Sequence, residues 1–270
     1  MSAFEIFQSI MLGLVEGLTE FLPISSTGHL IIAGDMLGYT GDQAKTFLIV
    51  IQLGAILAVC WHYRARLLTT LRGLLHDRPS QRFVCNLIIA IFPSALLGLA
   101  LHKYIKAYLF SPITVAVALI VGGFIILLVE RKKRTARIVS VEEMSWRDAL
   151  KLGFAQAISL FPGVSRSGAT IIGGLVFGLS RQAATEFSFF LAIPTMFLAT
   201  GYDLLSSWQS LSSDDLSFFV LGFVVAFISA LVAIRGLLWY VAHHDFRYFA
   251  HYRIVFGLVV LCYFILTAQS

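Results

Sequence analysis

Residues 13–34 read GLVEGLTEFLPISSTGHLIIAG, and this stretch decides the fold. It is apolar enough for a membrane helix, but Glu16, Glu20 and Pro23 interrupt it, and a polar run at 25–29 follows. Proline and glycine in mid-segment end helices. Irregular backbone survives at membrane depth only where protein or a watery cavity satisfies its polar groups. The stretch therefore predicts two short helices joined by a polar loop, which is a re-entrant hairpin.

The same pattern returns 140 residues further along the chain. Residues 153–174 read GFAQAISLFPGVSRSGATIIGG, with a second proline–glycine break and an arginine, Arg166, in the polar loop. Ten positions between 13 and 47 are identical to those 140 residues later, which predicts an internal repeat with halves of about 1–130 and 140–270. The identical pairs are Gly13/Gly153, Phe21/Phe161, Ser25/Ser165, Gly28/Gly168, Ile31/Ile171, Ile32/Ile172, Gly34/Gly174, Gly38/Gly178, Ala44/Ala184 and Phe47/Phe187.

The composition places these segments in a membrane. Of the 270 residues, 58% are apolar and 13% are charged, and the mean hydropathy is +0.85. An ordinary globular chain has roughly 45–50% apolar and about 25% charged residues. A soluble protein of this size could not cover so much apolar side chain. The composition therefore excludes a soluble enzyme, a DNA-binding domain and a secreted disulfide scaffold.

Six other segments are apolar over about the 20 residues that a helix needs to cross a bilayer. They are roughly 46–63, 83–101, 112–130, 186–205, 218–240 and 254–268. Fifteen of the twenty basic residues fall in three groups between alternate spans, and the positive-inside rule assigns these groups to the cytoplasm. The groups are Arg64, Arg66, Arg72, Arg78 and Arg82; Arg131, Lys132, Lys133, Arg134, Arg137, Arg147 and Lys151; and Arg235, Arg247 and Arg253. The net charge of +5 therefore reports membrane orientation, and we expect no nucleic-acid partner.

Counting the crossings gives the two hairpins opposite orientations. The other loops hold only Lys103 and Lys106, and the 206–217 loop is acidic through Asp214 and Asp215. The first hairpin then enters from outside, and three spans later the second enters from inside. The sequence predicts an all-α polytopic membrane protein, a single integral membrane domain over 1–270. It has six spanning helices and two re-entrant helix hairpins arranged as inverted-topology repeats, whose functional site lies near the midplane.

Four ionisable side chains lie where the membrane disfavours charge, and such residues are functional by default. Glu16 and Glu20 are four residues apart, so both carboxylates lie on one helix face. Two close anions in a low dielectric repel each other unless a cation sits between them. A divalent metal is the natural partner, because Mg²⁺ takes one or two carboxylates and lets substrate phosphates complete its coordination; Ca²⁺ is also feasible.

The other two ionisable residues lie in loops that are rich in hydroxyl groups. The hydroxyl residues are Ser25, Ser26 and Thr27 in the first loop and Ser165, Ser167 and Thr170 in the second. The first three precede a helix predicted to start near Gly28, and helix N-termini bind anions. Arg166 could bind phosphate with two parallel hydrogen bonds, and His29 could serve as base, acid or phosphate ligand. These residues indicate phosphoryl chemistry, and the membrane setting indicates a lipid-linked phosphate.

Two motifs in these segments resemble those of a known family. The run Glu16-Gly-Leu-Thr-Glu20-Phe-Leu-Pro-Ile-Ser-Ser-Thr-Gly-His29 resembles the acidic motif and loop of bacterial undecaprenyl-diphosphatases of the BacA type, and Pro162-Gly-Val-Ser-Arg-Ser-Gly-Ala-Thr170 resembles their second motif. The resemblance covers essentially the whole chain. It implies an inner-membrane enzyme that hydrolyses undecaprenyl diphosphate to undecaprenyl phosphate and inorganic phosphate, recycles the lipid carrier of peptidoglycan synthesis and confers bacitracin resistance. It also implies interlocked inverted repeats, a site that opens towards the periplasm, and a divalent cation.

Roles for the individual residues follow from their chemistry and from the family resemblance. Glu16 and Glu20 would hold the metal, with Glu20 the more critical of the two. Arg166 would bind the terminal phosphate with help from the loop hydroxyls Ser25, Thr27, Ser165, Ser167 and Thr170. Ser26 is the candidate nucleophile, with His29 or Glu20 as its base, while attack by water or by His29 itself stays open. A homodimer is compatible with the sequence, which does not determine the oligomeric state.

Two rival classes fit part of the pattern. Inverted repeats and broken helices are also features of transporters and lipid flippases, in which the glutamate pair would carry protons or Na⁺. The run 26–29 loosely resembles the Ser-Gly-His motif of phosphatidic acid phosphatases. That class has a catalytic histidine six residues after its arginine, whereas the sixth residue after Arg166 is Ile172.

Overall fold

The computed structural model is all-helical over the residues that it describes, which are 1–108, 111–132, 135–207 and 216–267. The helices in chain order are α1 (Ala3–Thr19), α2 (Ser26–Met36), α3 (Asp42–His62), α4 (Arg64–Gly73), α5 (Arg78–Tyr108), α6 (Pro112–Arg131), α7 (Trp146–Ile158), α8 (Arg166–Val176), α9 (Arg181–Ser207), α10 (Leu216–His243) and α11 (Arg247–Thr267). A short 3₁₀ turn at Val141–Glu143 precedes α7.

Six of these helices are long and apolar enough to cross a membrane, namely α3, α5, α6, α9, α10 and α11. Their outer faces carry exposed apolar side chains such as Leu99, Leu198 and Val232, as expected for contact with lipid. The predicted all-α polytopic membrane fold with six spans is therefore confirmed.

The two broken segments form two pairs of short helices. Helices α1 and α2 have 17 and 11 residues, and α7 and α8 have 13 and 11. Each second helix follows a serine in the left-handed region, Ser25 with φ 72° and Ser165 with φ 76°, and within the described residues these are the only non-glycine residues with positive φ. Such a conformation is costly for an L-residue, so its presence at both equivalent positions fits the predicted repeat. The re-entrant and inverted placement of the pairs in the bilayer stays a prediction.

Helix α2 begins earlier than predicted, and α8 begins at the equivalent position. Helix α2 starts at Ser26 rather than near Gly28, and α8 starts at Arg166. The polar residues Ser26, Thr27 and Ser167 therefore lie in the first helical turn. This turn leaves backbone N–H groups without intrahelical acceptors, which is why polar residues are tolerated there.

Each helix pair packs against a span from the other half of the chain. Helix α1 lies along α10, where a Cβ on Gly13 would be 2.6 Å from the Gly222 carbonyl oxygen. Helix α7 lies along α5, where a Cβ on Gly153 would be 2.5 Å from the Ala90 carbonyl oxygen. The two turns meet inside the molecule, where Ser167 Oγ donates to the Leu22 carbonyl oxygen.

One basic residue does not lie where the charge pattern placed it. Arg253, counted above with the cytoplasmic cations, is inside α11 and only 1% exposed. The reason is that α11 begins at Arg247, whereas the hydropathy count started the span after the last arginine. Lys133, Arg134, Asp214 and Asp215 lie outside the described residues, as do the side chains of Lys103 and Lys106.

Candidate active site

A buried ion pair joins the two halves of the chain. Glu20 ends α1 and Arg166 begins α8, and the Arg166 Nη2 donates to Glu20 Oε1 at 3.0 Å. The same guanidinium donates from Nη1 to the Ser188 carbonyl oxygen at 3.0 Å and lies 5.7 Å from the centre of the Phe21 ring. Two residues predicted to act together, 146 positions apart in the sequence, are thus in direct contact.

Glu20 also binds the candidate nucleophile. Ser26 Oγ donates to Glu20 Oε2 at 2.5 Å, which is the short distance typical of a hydroxyl hydrogen-bonded to a carboxylate. One carboxylate therefore bridges the hydroxyl of the first turn and the guanidinium of the second. Of the two bases considered for Ser26, Glu20 is the one that the geometry places on it.

His29 faces a different set of partners. Its Nδ1 lies 2.8 Å from the Ser25 carbonyl oxygen and its Nε2 lies 2.6 Å from the Tyr252 hydroxyl oxygen. The ring stacks on Phe256 with centroids 4.1 Å apart. Because a carbonyl oxygen only accepts, Nδ1 carries the proton, and in the neutral ring Nε2 accepts from Tyr252. Both nitrogens are thus engaged with groups other than Ser26.

The N-terminus of α8 is capped by its own loop. Ser165 Oγ accepts from the Gly168 N–H at 3.0 Å, and Ser167 Oγ donates to the Leu22 carbonyl oxygen at 2.7 Å. The Thr170 hydroxyl lies 2.6 Å from that of Ser188. The predicted phosphate ligands Ser165, Ser167 and Thr170 therefore hold the second turn in place.

The N-terminus of α2, by contrast, has no side-chain cap. The Ser25 side chain is buried, and its Oγ has no hydrogen-bond partner among the described residues. Thr27 is half-buried in the same turn. An uncapped helix N-terminus offers free N–H groups and a positive partial charge to an anion. Of the two helix N-termini, that of α2 is the one left without a side-chain cap.

Three buried polar atoms at this site lack a partner within the described part of the chain: Glu16 Oε1, Ser25 Oγ and Arg166 Nε. Buried polar groups are normally satisfied because leaving them unpaired costs free energy. Glu16 is 1% exposed and lies one helical turn before Glu20. The atoms comprise a carboxylate oxygen, a hydroxyl and a guanidinium N–H, which are the groups that a phosphate and its counter-cation would satisfy.

The carboxylate pair fits a divalent cation that is shared with a substrate. Within the described ranges, no cluster of three or more His, Cys, Asp or Glu side chains is suited to hold a metal. Two carboxylates with phosphate oxygens are, however, a normal Mg²⁺ ligand set. Arg166 already supplies one positive charge to Glu20, so the carboxylate without a neutralising partner is Glu16.

The charge pattern alone did not identify Arg253 as part of the site. Its guanidinium donates to backbone carbonyl oxygens of both turns, to Pro23 at 3.1 Å and to Val164 at 3.0 Å. Further bonds reach Gly163 O at 3.1 Å, Ala118 O at 3.2 Å and Leu119 O at 3.3 Å. Arg253 thus ties both turns to α6. The available signal was an arginine within an otherwise apolar stretch. Counting Arg253 among the loop cations concealed this signal.

The fold and the site define a class: polytopic helical membrane proteins with a buried cluster of charged and hydroxyl side chains between two pairs of short helices. Residues 9–259 match the family described as "Bacitracin resistance protein BacA", and the chain belongs to this family.

Curated relatives resemble the chain over nearly its full length. The undecaprenyl-diphosphatase of Nitrosomonas europaea is 58% identical over 98% of this chain and 95% of its own length. The undecaprenyl-diphosphatase of Methylococcus capsulatus is 58% identical over 94% of this chain and 93% of its own length. The undecaprenyl-diphosphatase 2 of Rhodospirillum rubrum is 60% identical over 95% of this chain and 94% of its own length.

Proposed function

We propose that the chain is an integral membrane phosphatase that hydrolyses undecaprenyl diphosphate to undecaprenyl phosphate and inorganic phosphate. In this role it recycles the lipid carrier of peptidoglycan synthesis and confers bacitracin resistance. The observation that carries the proposal is the contact of Glu20 with both Ser26 and Arg166 beside an uncapped helix N-terminus. The family and the names of its relatives support the same substrate.

The geometry supports a two-step displacement. Ser26 Oγ attacks the terminal phosphorus and Glu20 takes its proton, while the bond to the bridging oxygen breaks and undecaprenyl phosphate leaves. Water then attacks the phosphoserine, the Oγ–P bond breaks, and Glu20 returns its proton to Ser26 Oγ, while both protons of the water leave on the inorganic phosphate. The Arg166 guanidinium and the N–H groups of α2 stabilise the charge on the phosphoryl oxygens throughout.

Release of phosphate by the purified, detergent-solubilised protein is the direct test. We expect inorganic phosphate from undecaprenyl diphosphate, because the nucleophile, base and cation belong to one chain. Movement of the lipid across vesicles without phosphate release would instead identify a transporter, the rival class with broken helices.

We also propose that the enzyme lies in the inner membrane with its site opening towards the periplasm, opposite the basic loops. Right-side-out vesicles should then hydrolyse substrate added outside, and inverted vesicles should not; the reverse pattern would contradict this orientation. A homodimer stays a prediction.

A divalent cation, Mg²⁺ or Ca²⁺, would be held by Glu16 and Glu20 together with the diphosphate. When bound, it would neutralise part of the substrate's charge. Glu16 carries the unpartnered buried oxygen and Glu20 already accepts two hydrogen bonds. We therefore assign Glu16 the larger share of the metal binding.

Glu16→Gln should raise the Mg²⁺ concentration needed for half-maximal activity at least about tenfold, because one of the two protein ligands loses its charge. The measurement is activity after chelator treatment, titrated back with Mg²⁺ or Ca²⁺. Glu5→Gln is the matched control, since Glu5 lies on the same helix in an exposed capping box that glutamine also forms. Activity that resists the chelator, or equal titrations for both variants, would remove the metal from the proposal.

His29 is proposed to act as a positioning residue that holds the Ser25 carbonyl and hence the turn that carries Ser26. His29→Asn should then keep most of the activity that His29→Ala loses, because the asparagine amide nitrogen occupies the side-chain position of Nδ1. Tyr252→Phe should lower kcat about fivefold, the effect of one hydrogen bond, without changing the shape of the pH–rate profile.

The control for Tyr252→Phe is Tyr263→Phe, which removes a hydroxyl on the same helix that binds Asp35 instead. If His29→Asn is as inactive as His29→Ala, the imidazole itself takes part in the chemistry, and the positioning role is wrong.

A further inference from the structure

Helix α4 carries an apolar stripe that nothing in the described chain covers. Leu68, Leu71 and Leu75, on α4 and just after it, are 51%, 65% and 80% exposed, at the spacing of one helix face. Leu57 and Trp61, near the end of the preceding span α3, are also exposed. With ten residues, α4 is too short to span a bilayer.

Exposed arginines border this stripe. Arg64, Arg72 and Arg78 are exposed, and Arg64 lies over the Trp61 ring at 4.8 Å from its centroid. Aromatic and basic side chains at the end of a span are typical of the boundary between headgroups and water. The neighbouring Arg66 is paired with Glu142, so it adds no net positive charge beside the stripe.

A cavity of about 580 Å³ opens at the start of α5, where Arg78 is one of its lining residues. Its lining combines Arg78 and Arg82 with the apolar Phe83 and Val141, and it also includes Glu142, which is paired with Arg66. Arg82 donates to the Met144 carbonyl oxygen at 2.7 Å, which fixes its side chain at the rim. Basic and apolar groups side by side match the two parts of a phospholipid.

We propose that the α4 surface, defined as Leu68, Leu71, Leu75, Arg72 and Arg78, binds anionic phospholipid on the side of the membrane assigned to the cytoplasm. The leucines enter the boundary between headgroups and acyl chains, and the arginines pair with the phosphates. The position of α4 directly after the candidate span α3 and the charge of the arginines both favour this occupant. This surface is separate from the hydrolytic site, which it neither contacts nor requires.

The test uses the full chain in nanodiscs of phosphatidylcholine alone or mixed with phosphatidylglycerol. Two measurements are made: hydrogen exchange of the α4 amides, and retention of phosphatidylglycerol by native mass spectrometry. We expect slower α4 exchange in the anionic discs. Arg72→Gln with Arg78→Gln should weaken phosphatidylglycerol retention about thirty-fold, as two arginines near an anionic surface would. Leu71→Gln with Leu75→Gln should abolish the slow exchange.

Arg147→Gln is the matched control, because Arg147 is an exposed arginine of another cytoplasmic group. It should retain phosphatidylglycerol at α4 like the unmodified chain, and all variants should keep their phosphatase activity in detergent, which confirms folding. Equal retention by the Arg72/Arg78 variant and the control would overturn the proposal. Cross-links between two copies through α4 that do not depend on phosphatidylglycerol would also overturn it, since a second chain would then cover the stripe.

Discussion

Arg166→Ala should reduce phosphate release about 10³-fold or more, the range found for arginines that stabilise a transferring phosphoryl group. The substitution removes the only cation hydrogen-bonded to Glu20 within the described residues, and it leaves that carboxylate buried without its partner. The measurement is the initial rate on undecaprenyl diphosphate with membrane insertion checked in parallel.

Arg166→Lys separates charge from geometry. Lysine keeps the positive charge but lacks the planar fork that reaches Glu20 and the Ser188 carbonyl together. We expect activity to stay severely impaired, at about a hundredth of normal. Near-normal turnover in Arg166→Ala would eliminate the role of this arginine in binding the terminal phosphate.

Ser26→Ala and Glu20→Gln should each reduce activity about 10³-fold, and the double variant should lose no more than either single one. Residues that act as one unit in a proton transfer give such non-additive losses, and the 2.5 Å contact makes these two a unit. If the fold losses of the two single variants multiply in the double variant, the two residues act independently. Water rather than Ser26 would then be the attacking group.

Acid quenching during turnover adds an independent readout. Substrate labelled in its terminal phosphate should leave label on Ser26, and Glu20→Gln should abolish this label because Ser26 then lacks a base. A label found on His29 would instead identify the imidazole as the nucleophile.

Most of the fold could be predicted because the bilayer restricts what a chain can do. Spans need long apolar segments, and charges at their ends report orientation. The breaks within residues 13–34 and 153–174 could be predicted from their proline, glycine and polar residues. The predicted start of α2, near Gly28, is two residues late. Ser26 and Thr27 are typical loop residues in the sequence, although they occupy the first turn of the helix.

The sequence predicted which residues form the candidate site better than it predicted the contacts between them. The sequence pointed to Glu20, Ser26 and Arg166 together, and they do touch. The sequence could not tell whether His29 or Glu20 faces Ser26, because both lie close to Ser26 in the chain. The choice depends on the left-handed turn at Ser25. The sequence also missed the Tyr252 contact of His29, which depends on how α11 packs 223 positions away.

The unpartnered atoms Glu16 Oε1, Ser25 Oγ and Arg166 Nε have a consequence for how the site works. All three atoms are buried, and burying a polar group without a hydrogen-bond partner costs free energy. A phosphate bound here would meet two donors, the Ser25 hydroxyl and Arg166 Nε, on turns that Arg253 already holds in place. Little reorganisation is left for the reaction itself, and electrostatic preorganisation of this kind is the main source of rate enhancement in many enzymes.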